Sequence, residues 1–548
     1  MADADLDSPA RRGPAASGRR PILPWWLLGL LPLLAAAALR DLWAPDEPRR
    51  AEVAREMFER GDFLVMHLCG EVYPDKPPLF FWLAGTAGRI TGWSVFAMRL
   101  VPLLATAATA ALVALLARRW WGRREALWAP LLFLGSGLVL LEGSRLQIDP
   151  LLVLLCTAAL AIADLPARSR GRASAHRLLA GLATGLAGLA KGPVAFAIVG
   201  LVLLGWRLVA RPQAGPRPAV LARLGGILFA LLPVAAWALA AIAAAPELAG
   251  ALLYGQHVGR VVEGEAHPGP WWQHLAVLPA ELLPWTPLVI GGLIAAWRTR
   301  RAPDDLHRAA AWLLVLLALF SLLPTKRDLY LLPAYPAAAL VGARWMVLAF
   351  ARTGGLPRAA TWTATAVLAL AAAAALAAIP FVGEVATGVA GLGGRLAGTG
   401  AILAGGVVAC GLALRRGGGE AWARTFAGAW IAATTVGSLL ILPAVDEVKS
   451  GRGVAEFLAA RPERPEAIPC LGVQPEGYRF YGRVPAVRDD DLAAALRRDG
   501  AQFLALARER DWEKLSAAER ASFVVLHRER VGSRMVLVLG AATSSTGR

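Results

Sequence analysis

The sequence places two adjacent carboxylates between prolines, in Pro45-Asp46-Glu47-Pro48-Arg49. Proline fixes the backbone on either side of the pair, and the helical pattern that follows offers its N-terminus to negative charge. Arg49 can neutralise one carboxylate and leave the other to activate or orient an attacking oxygen. Capping of the helix by Asp46 or Glu47 is the purely structural use of the same residues. A second proline-fixed stretch, Tyr73-Pro74-Asp75-Lys76-Pro77-Pro78, carries one of only five lysines in the chain. An ammonium group there suits a phosphate at the level of lipid headgroups, although a lysine can also sit at that depth simply by snorkelling. Three further stretches repeat the mixture: Arg145-Leu146-Gln147-Ile148-Asp149-Pro150, Lys191-Gly192-Pro193 and Lys326-Arg327-Asp328-Leu329-Tyr330. Gathered in one place, they would ring a cavity with cations and carboxylates suited to an anionic lipid phosphate and a reacting oxygen. Asp75 with His257, His267 or His274 could in principle ligate a metal, but no His-x-x-x-His or similar spacing accompanies them. No metal or other cofactor is expected.

Positioning these residues falls to a membrane scaffold. The 548 residues are 57% hydrophobic and 18% charged, with a mean hydropathy of +0.51, whereas soluble domains are about 25% charged. Apolar runs recur along the first four fifths, and the predicted fold is an α-helical polytopic membrane protein with about thirteen transmembrane helices. The net charge of +17 comes largely from arginine clusters at alternate loops, such as Arg118, Arg119, Arg123 and Arg124. By the positive-inside rule those loops and the N-terminus are cytoplasmic. The charge therefore reads as topology, and nucleic acid is not expected as a partner. The five stretches above fall at the opposite, outer face, where Lys and Arg run against the rule.

Residues 1–20 read as a disordered cytoplasmic tail and 21–444 as the transmembrane domain. Its first outer loop, 41–93, should contain a juxtamembrane helix from Pro48 to Arg60, capped by Gly61 and lying flat on the membrane with Glu52, Arg55, Glu56 and Glu59 facing water. A second long outer segment, 246–278, holds Tyr254, His257, Arg260, Trp271 and Trp272. The two apolar runs on either side of Lys191 are short for a bilayer and could form one broken element. Residues 445–548 change to a polar, charged composition and read as a small outer α/β domain. Cys69, Cys156, Cys410 and Cys470 lack metal or redox spacing and read as free thiols, with a Cys69–Cys470 bridge as the alternative.

Asp46 to Met57, Gly61-Asp62, Asp75 to Leu79, Ile148-Asp149-Pro150, Ala190 to Pro193, His267 to Trp272, Leu283 to Trp285 and Lys326 to Pro336 follow one another in an order that resembles a known superfamily. This is the C-type superfamily of polyprenyl-phosphate-sugar glycosyltransferases, which contains the bacterial lipid A aminoarabinose transferases and the protein O-mannosyltransferases. The resemblance covers about residues 20 to 350. It implies an enzyme of the bacterial inner membrane with its C-terminus in the periplasm. Such an enzyme moves a sugar, with inversion, from an undecaprenyl phosphate donor to lipid A, another glycan or a protein hydroxyl. It also implies Asp46 and Asp149 as catalytic carboxylates, and Glu47, Arg49, Lys76, Lys191, Arg260, Lys326 and Tyr330 as substrate-binding residues. Two features depart from the superfamily pattern: Arg50, where relatives place Tyr, and Arg327-Asp328 beside Lys326. A lipid flippase or transporter is the alternative from another class. It would place ionisable groups near the midplane, whereas here the unusual residues gather at one face.

Overall fold

The computed structural model describes residues 24–209, 216–250, 268–353, 358–379 and 391–542. Helix α1 (Trp25–Leu39) leads into α2 (Asp46–Arg60), a small hairpin of β1 (His67–Leu68) and β2 (Glu71–Val72), and α3 (Leu79–Ile90). Then follow α4 (Val95–Trp120), α5 (Arg123–Leu134), α6 (Gly137–Glu142), α7 (Asp149–Ala163), α8 (Arg170–Lys191), α9 (Val194–Val209) and α10 (Val220–Ala244). Helices α11 (Gln273–Glu281), α12 (Thr286–Arg298), α13 (Asp305–Leu322), α14 (Tyr335–Thr353), α15 (Arg358–Ala377), α16 (Leu392–Arg416) and α17 (Gly418–Lys449) complete the helical part.

Six described helices are long and apolar enough to cross a membrane, and α11 with α12, bent by 119°, makes a seventh candidate. Five further apolar helices among the described residues are shorter, at 10–17 residues. Around Lys191, α8 and α9 are separate helices divided at Gly192, which adopts φ +91°, and Pro193. Glycine alone tolerates that backbone readily. Glycine also lets α8 and α10 approach closely: a Cβ on Gly181 would lie 2.1 Å from the Gly226 carbonyl oxygen.

Helix α2 corrects one expectation. It starts at Asp46, before Pro48, and ends as predicted at Gly61 in the left-handed conformation. Its polar face, however, does not look into water. Glu52, Arg55 and Glu56 are buried, because a helix from the C-terminal region covers the side that a flat surface helix would expose.

That region is a five-stranded sheet of β3 (Ile468–Leu471), β4 (Ala486–Val487), β5 (Leu504–Arg508), β6 (Phe523–Val531) and β7 (Arg534–Ala541), in the order β4-β3-β5-β7-β6. Strand β3 pairs parallel with β4 and β5, while β7 pairs antiparallel with β5 and β6. Side chains alternate between the faces of a strand. Leu504, Leu506, Val536 and Val538 thus enter one apolar cluster with Val454 and Leu458, and Ala505, Ala507, Leu537 and Leu539 enter another with Leu492 and Phe503. Helices α18 (Arg452–Ala460), α19 (Glu476–Gly482) and α20 (Leu492–Asp499) accompany the sheet.

Candidate active site

Asp46 opens α2, and its carboxylate is only 12% exposed. Arg327 Nη2 donates to Oδ2 at 2.6 Å and Gln147 Nε2 reaches the same oxygen at 3.4 Å, while Arg50 Nη1 lies 3.7 Å from Oδ1. Burial pushes this carboxyl up, but the Arg50 and Arg327 guanidinium groups outweigh it and hold Asp46 well below the usual carboxylate range. It is therefore an ionised acid clamped between cations.

Glu47, one residue on, has a different fate. It is fully buried. Its Oε1 accepts from Arg99 Nη2 at 2.9 Å, Arg40 Nη2 at 3.3 Å and the Leu146 backbone at 2.8 Å, and its Oε2 accepts from the Trp43 backbone at 3.1 Å. Burial raises this carboxyl, and Arg99, Arg40 and Arg145 bring it down to about 2. Glu47 thus ties the end of α1, the start of α4 and the turn at residues 143–147 together, fully buried among protein donors. Arg49 is also displaced from its expected place. Its Nε points to Glu476 of α19, 3.6 Å away, and the neutralising partners of Asp46 are instead Arg50 and Arg327.

A second group assembles beside the first. Asp149 opens α7 and contacts the Lys191 ammonium, which ends α8. Lys191 also stands over the Tyr330 ring, 5.1 Å from its centroid. Arg327 joins the two groups electrostatically, since it faces Asp46, Tyr330 and Asp149. Asp46, Asp149, Lys191 and Tyr330 are thereby brought together. Lys326 is not part of this cluster: its ammonium donates to the carbonyls of Phe320 at 3.1 Å, Ser321 at 2.7 Å and Leu323, and so closes the end of α13. An ammonium has three donors, so all three are used. Lys76 is half-buried in the turn before α3. Arg260, with Tyr254, His257 and His267, lies outside the described residues. Trp271 and Trp272 are exposed just before α11, and His274 is completely buried.

Sequence reasoning missed the roles of Arg50, Arg99, Arg145, Gln147 and Arg327. The signal for Arg99 was an arginine five residues into an apolar helix, a position that demands a partner. Arg50 and Arg327 were marked only as departures from a pattern, yet both converge on Asp46. Unmet donors surround this centre: Arg50 Nη1 and Arg145 Nε are buried without a hydrogen-bond acceptor, as is Gln147 Oε1 without a donor. Buried polar groups are rarely left so; the two guanidinium nitrogens face carboxylates just beyond hydrogen-bond reach, Asp46 at 3.7 Å and Glu47 at 3.9 Å. Among the described residues no group of three His, Cys, Asp or Glu side chains could hold a metal ion.

Residues 30–245 match the family model described as dolichyl-phosphate-mannose-protein mannosyltransferase. The chain is 36% identical over 357 residues to the undecaprenyl phosphate-alpha-4-amino-4-deoxy-L-arabinose arabinosyl transferase of Pectobacterium carotovorum, which covers 64% of this chain and 63% of that one. The enzyme of the same name from Edwardsiella ictaluri is 35% identical over 317 residues, 56% of each chain. The sequence match thus spans somewhat under two thirds of these relatives. The crystal structure of ArnT from Cupriavidus metallidurans bound to undecaprenyl phosphate superposes with a TM-score of 0.75 at 23% identity, over 96% of this chain and 98% of that one. In sequence the chain resembles the aminoarabinose and mannosyl transferases that use polyprenyl-phosphate-linked sugars, and over nearly its whole length it has the ArnT fold.

Proposed function

We propose that the protein is an inverting glycosyltransferase of the bacterial inner membrane, which moves a sugar from undecaprenyl phosphate to an envelope lipid phosphate. By analogy with the relatives' names the sugar is 4-amino-4-deoxy-L-arabinose, and lipid A is the acceptor that fits best. The reading places about thirteen spans in the membrane, the N-terminus in the cytoplasm, and both the Asp46 cluster and the C-terminal sheet in the periplasm.

The observation that carries it is the ionised Asp46 carboxylate held by Arg327 and Arg50 beside unmet guanidinium donors. An acid with so low a pKa is a weak proton acceptor, and general bases work best near the operating pH. A hydroxyl acceptor would need such a base, whereas a phosphate acceptor arrives already ionised. Asp46 is therefore not a base: it stabilises positive charge at the anomeric carbon as the bond to the carrier phosphate breaks. The acceptor oxygen bonds to that carbon, and the electron pair leaves on undecaprenyl phosphate. Lys191, fixed by Asp149, and Arg327 neutralise the departing phosphate. Glu47 and Lys326 hold the frame in which these groups sit.

Incubation of the purified protein in lipid nanodiscs with undecaprenyl phosphate-linked aminoarabinose and lipid A tests this reading. Mass spectrometry should show lipid A heavier by one aminoarabinose per modified phosphate. Transfer to a peptide hydroxyl in place of lipid A would refute the phosphate acceptor. Flipping of labelled lipid across liposomes without sugar transfer would refute the enzyme.

A further inference from the structure

The C-terminal sheet carries none of the cluster residues, yet its helix α19 lies against the segment that presents Asp46. We propose that this domain is a working part of the active site, with Tyr481 and Arg479 as positioning residues for the Asp46 turn. The inference rests on the reading of Asp46 as the reacting centre.

Residues 40–45, which lead into Asp46, form no regular structure, so their backbone donors need partners from elsewhere. The C-terminal part of the chain supplies two of them: the Leu42 amide donates to the Tyr481 hydroxyl at 2.7 Å and the Asp41 amide to Asp446 Oδ2 at 2.8 Å, while the Trp43 indole donates to Asp446 Oδ1 at 2.5 Å. The Trp43 amide is met by Glu47 of α2. Further along α2, Arg479 Nε binds Glu52 Oε1 at 3.0 Å, where Glu52 is wholly buried, and Arg483 binds Glu59 at 3.2 Å. Phe480 is buried in the same apolar cluster as Ala51, Val53 and Met57 of α2.

Helix α19 is itself fixed to the sheet domain. A Cβ on Gly482 would lie 2.6 Å from the Ala455 carbonyl of α18, and one on Gly477 would lie 3.6 Å from Pro48. The mechanical path runs from the sheet through α18 and α19 to the turn carrying Asp46. A displacement of about 1 Å at a reacting group can cost 10²-fold in rate, so a domain that sets the position of this turn sets turnover.

The test uses the full-length protein and two substitutions. Tyr481→Phe removes the acceptor for the Leu42 amide, and Arg479→Gln removes the bond from α19 to Glu52, which keeps Arg55 as its partner within α2. For each, kcat should fall about tenfold with the donor KM within twofold, because Lys191, Asp149 and Arg327 bind the donor independently of α19. Arg479→Lys, which can still reach Glu52, should restore kcat to within about twofold. Hydrogen exchange supplies a readout independent of activity: amides of residues 41–60 should exchange about tenfold faster in both damaged variants, with α8 and α10 unchanged. Unchanged kcat and exchange, or faster exchange spread evenly through the protein, would overturn the proposal. If Asp46→Asn remained active in the same assay, the reading of the reacting centre would fall, while the exchange result would still decide whether α19 holds the turn.

Discussion

Helix α7 has a buried acid at each end, Asp149 at its start and Asp164 at its C-cap. At the Asp164 end, Arg308 contacts Oδ1, the Trp120 indole donates to Oδ2 at 2.9 Å, and Arg119 lies 3.0 Å from the same oxygen. Arg308 is further held over the Trp206 ring, 4.4 Å from its centroid, and the Trp206 indole donates to the Arg308 carbonyl at 2.9 Å. At the Asp149 end, one lysine meets the carboxylate, the neighbouring Arg327 is one third exposed, and Arg50 Nη1 and Arg145 Nε, 3.7 Å from Asp46 and 3.9 Å from Glu47, make no hydrogen bond. The first network is closed and the second is open. Charge density alone does not separate a structural ion pair from a ligand site. Access does: Arg327 at the open end is one third exposed, whereas Arg308 and Asp164 at the closed end are sealed from solvent.

Substitutions at the two ends should therefore fail in different ways. Asp46→Asn should lower kcat by about 10³-fold or more with a smaller loss of melting temperature than Glu47→Gln, measured by sugar transfer and a thermal shift on the same preparation. Arg327→Ala should cost on the order of 10²-fold in kcat/KM, since it removes one partner of a charged pair that also faces the donor. Glu47→Gln should act on stability, because it strands Arg99 and Arg40 in a buried site at a cost of about 3–5 kcal/mol, read as loss of folded protein in denaturant.

The pH dependence follows from the same residue. The Glu47 pKa is lowered on folding, to about 2. Its contribution to stability is therefore complete above the ordinary carboxylate range and is lost as pH falls from about 4.5 toward 2. Melting curves across that window should steepen downward in the native protein and less so in Glu47→Gln, where Asp46, also lowered on folding, still contributes. The smallest effect on chemistry is expected at the closed end: Asp164→Asn should lower the melting temperature by several degrees, with turnover per folded molecule within about threefold. A large loss of turnover there, with the fold intact, would erase the distinction between the two ends.

The sequence made the open end partly visible. Asp46, Asp149, Lys191 and Tyr330 lie where apolar runs stop, beside prolines, so their types and positions marked them before any packing was known. Glu47 could not be told from Asp46 by the same means. What separates them is Arg99, which lies 52 residues later and reaches Glu47 only once α4 packs back on the loop. Lys326 reads as a phosphate ligand until the end of α13 presents it with carbonyls. The amphipathic pattern of α2 correctly marked a helix with one apolar face. It misassigned the other face to water, because the covering helix α19 comes more than 400 residues later. Periodicity reports that a face is polar and is silent on whether water or another charged helix meets it.

The central claim is that the open end binds the carrier's phosphate, with Lys191 and Arg327 as its cations. Titration of undecaprenyl phosphate into purified wild-type, Lys191→Ala, Arg327→Ala and Arg308→Ala proteins measures this directly. The account predicts affinity about 10-fold to 10²-fold weaker in the first two variants, with folded Arg308→Ala binding as the wild type does. Equal affinity in all four proteins would contradict it.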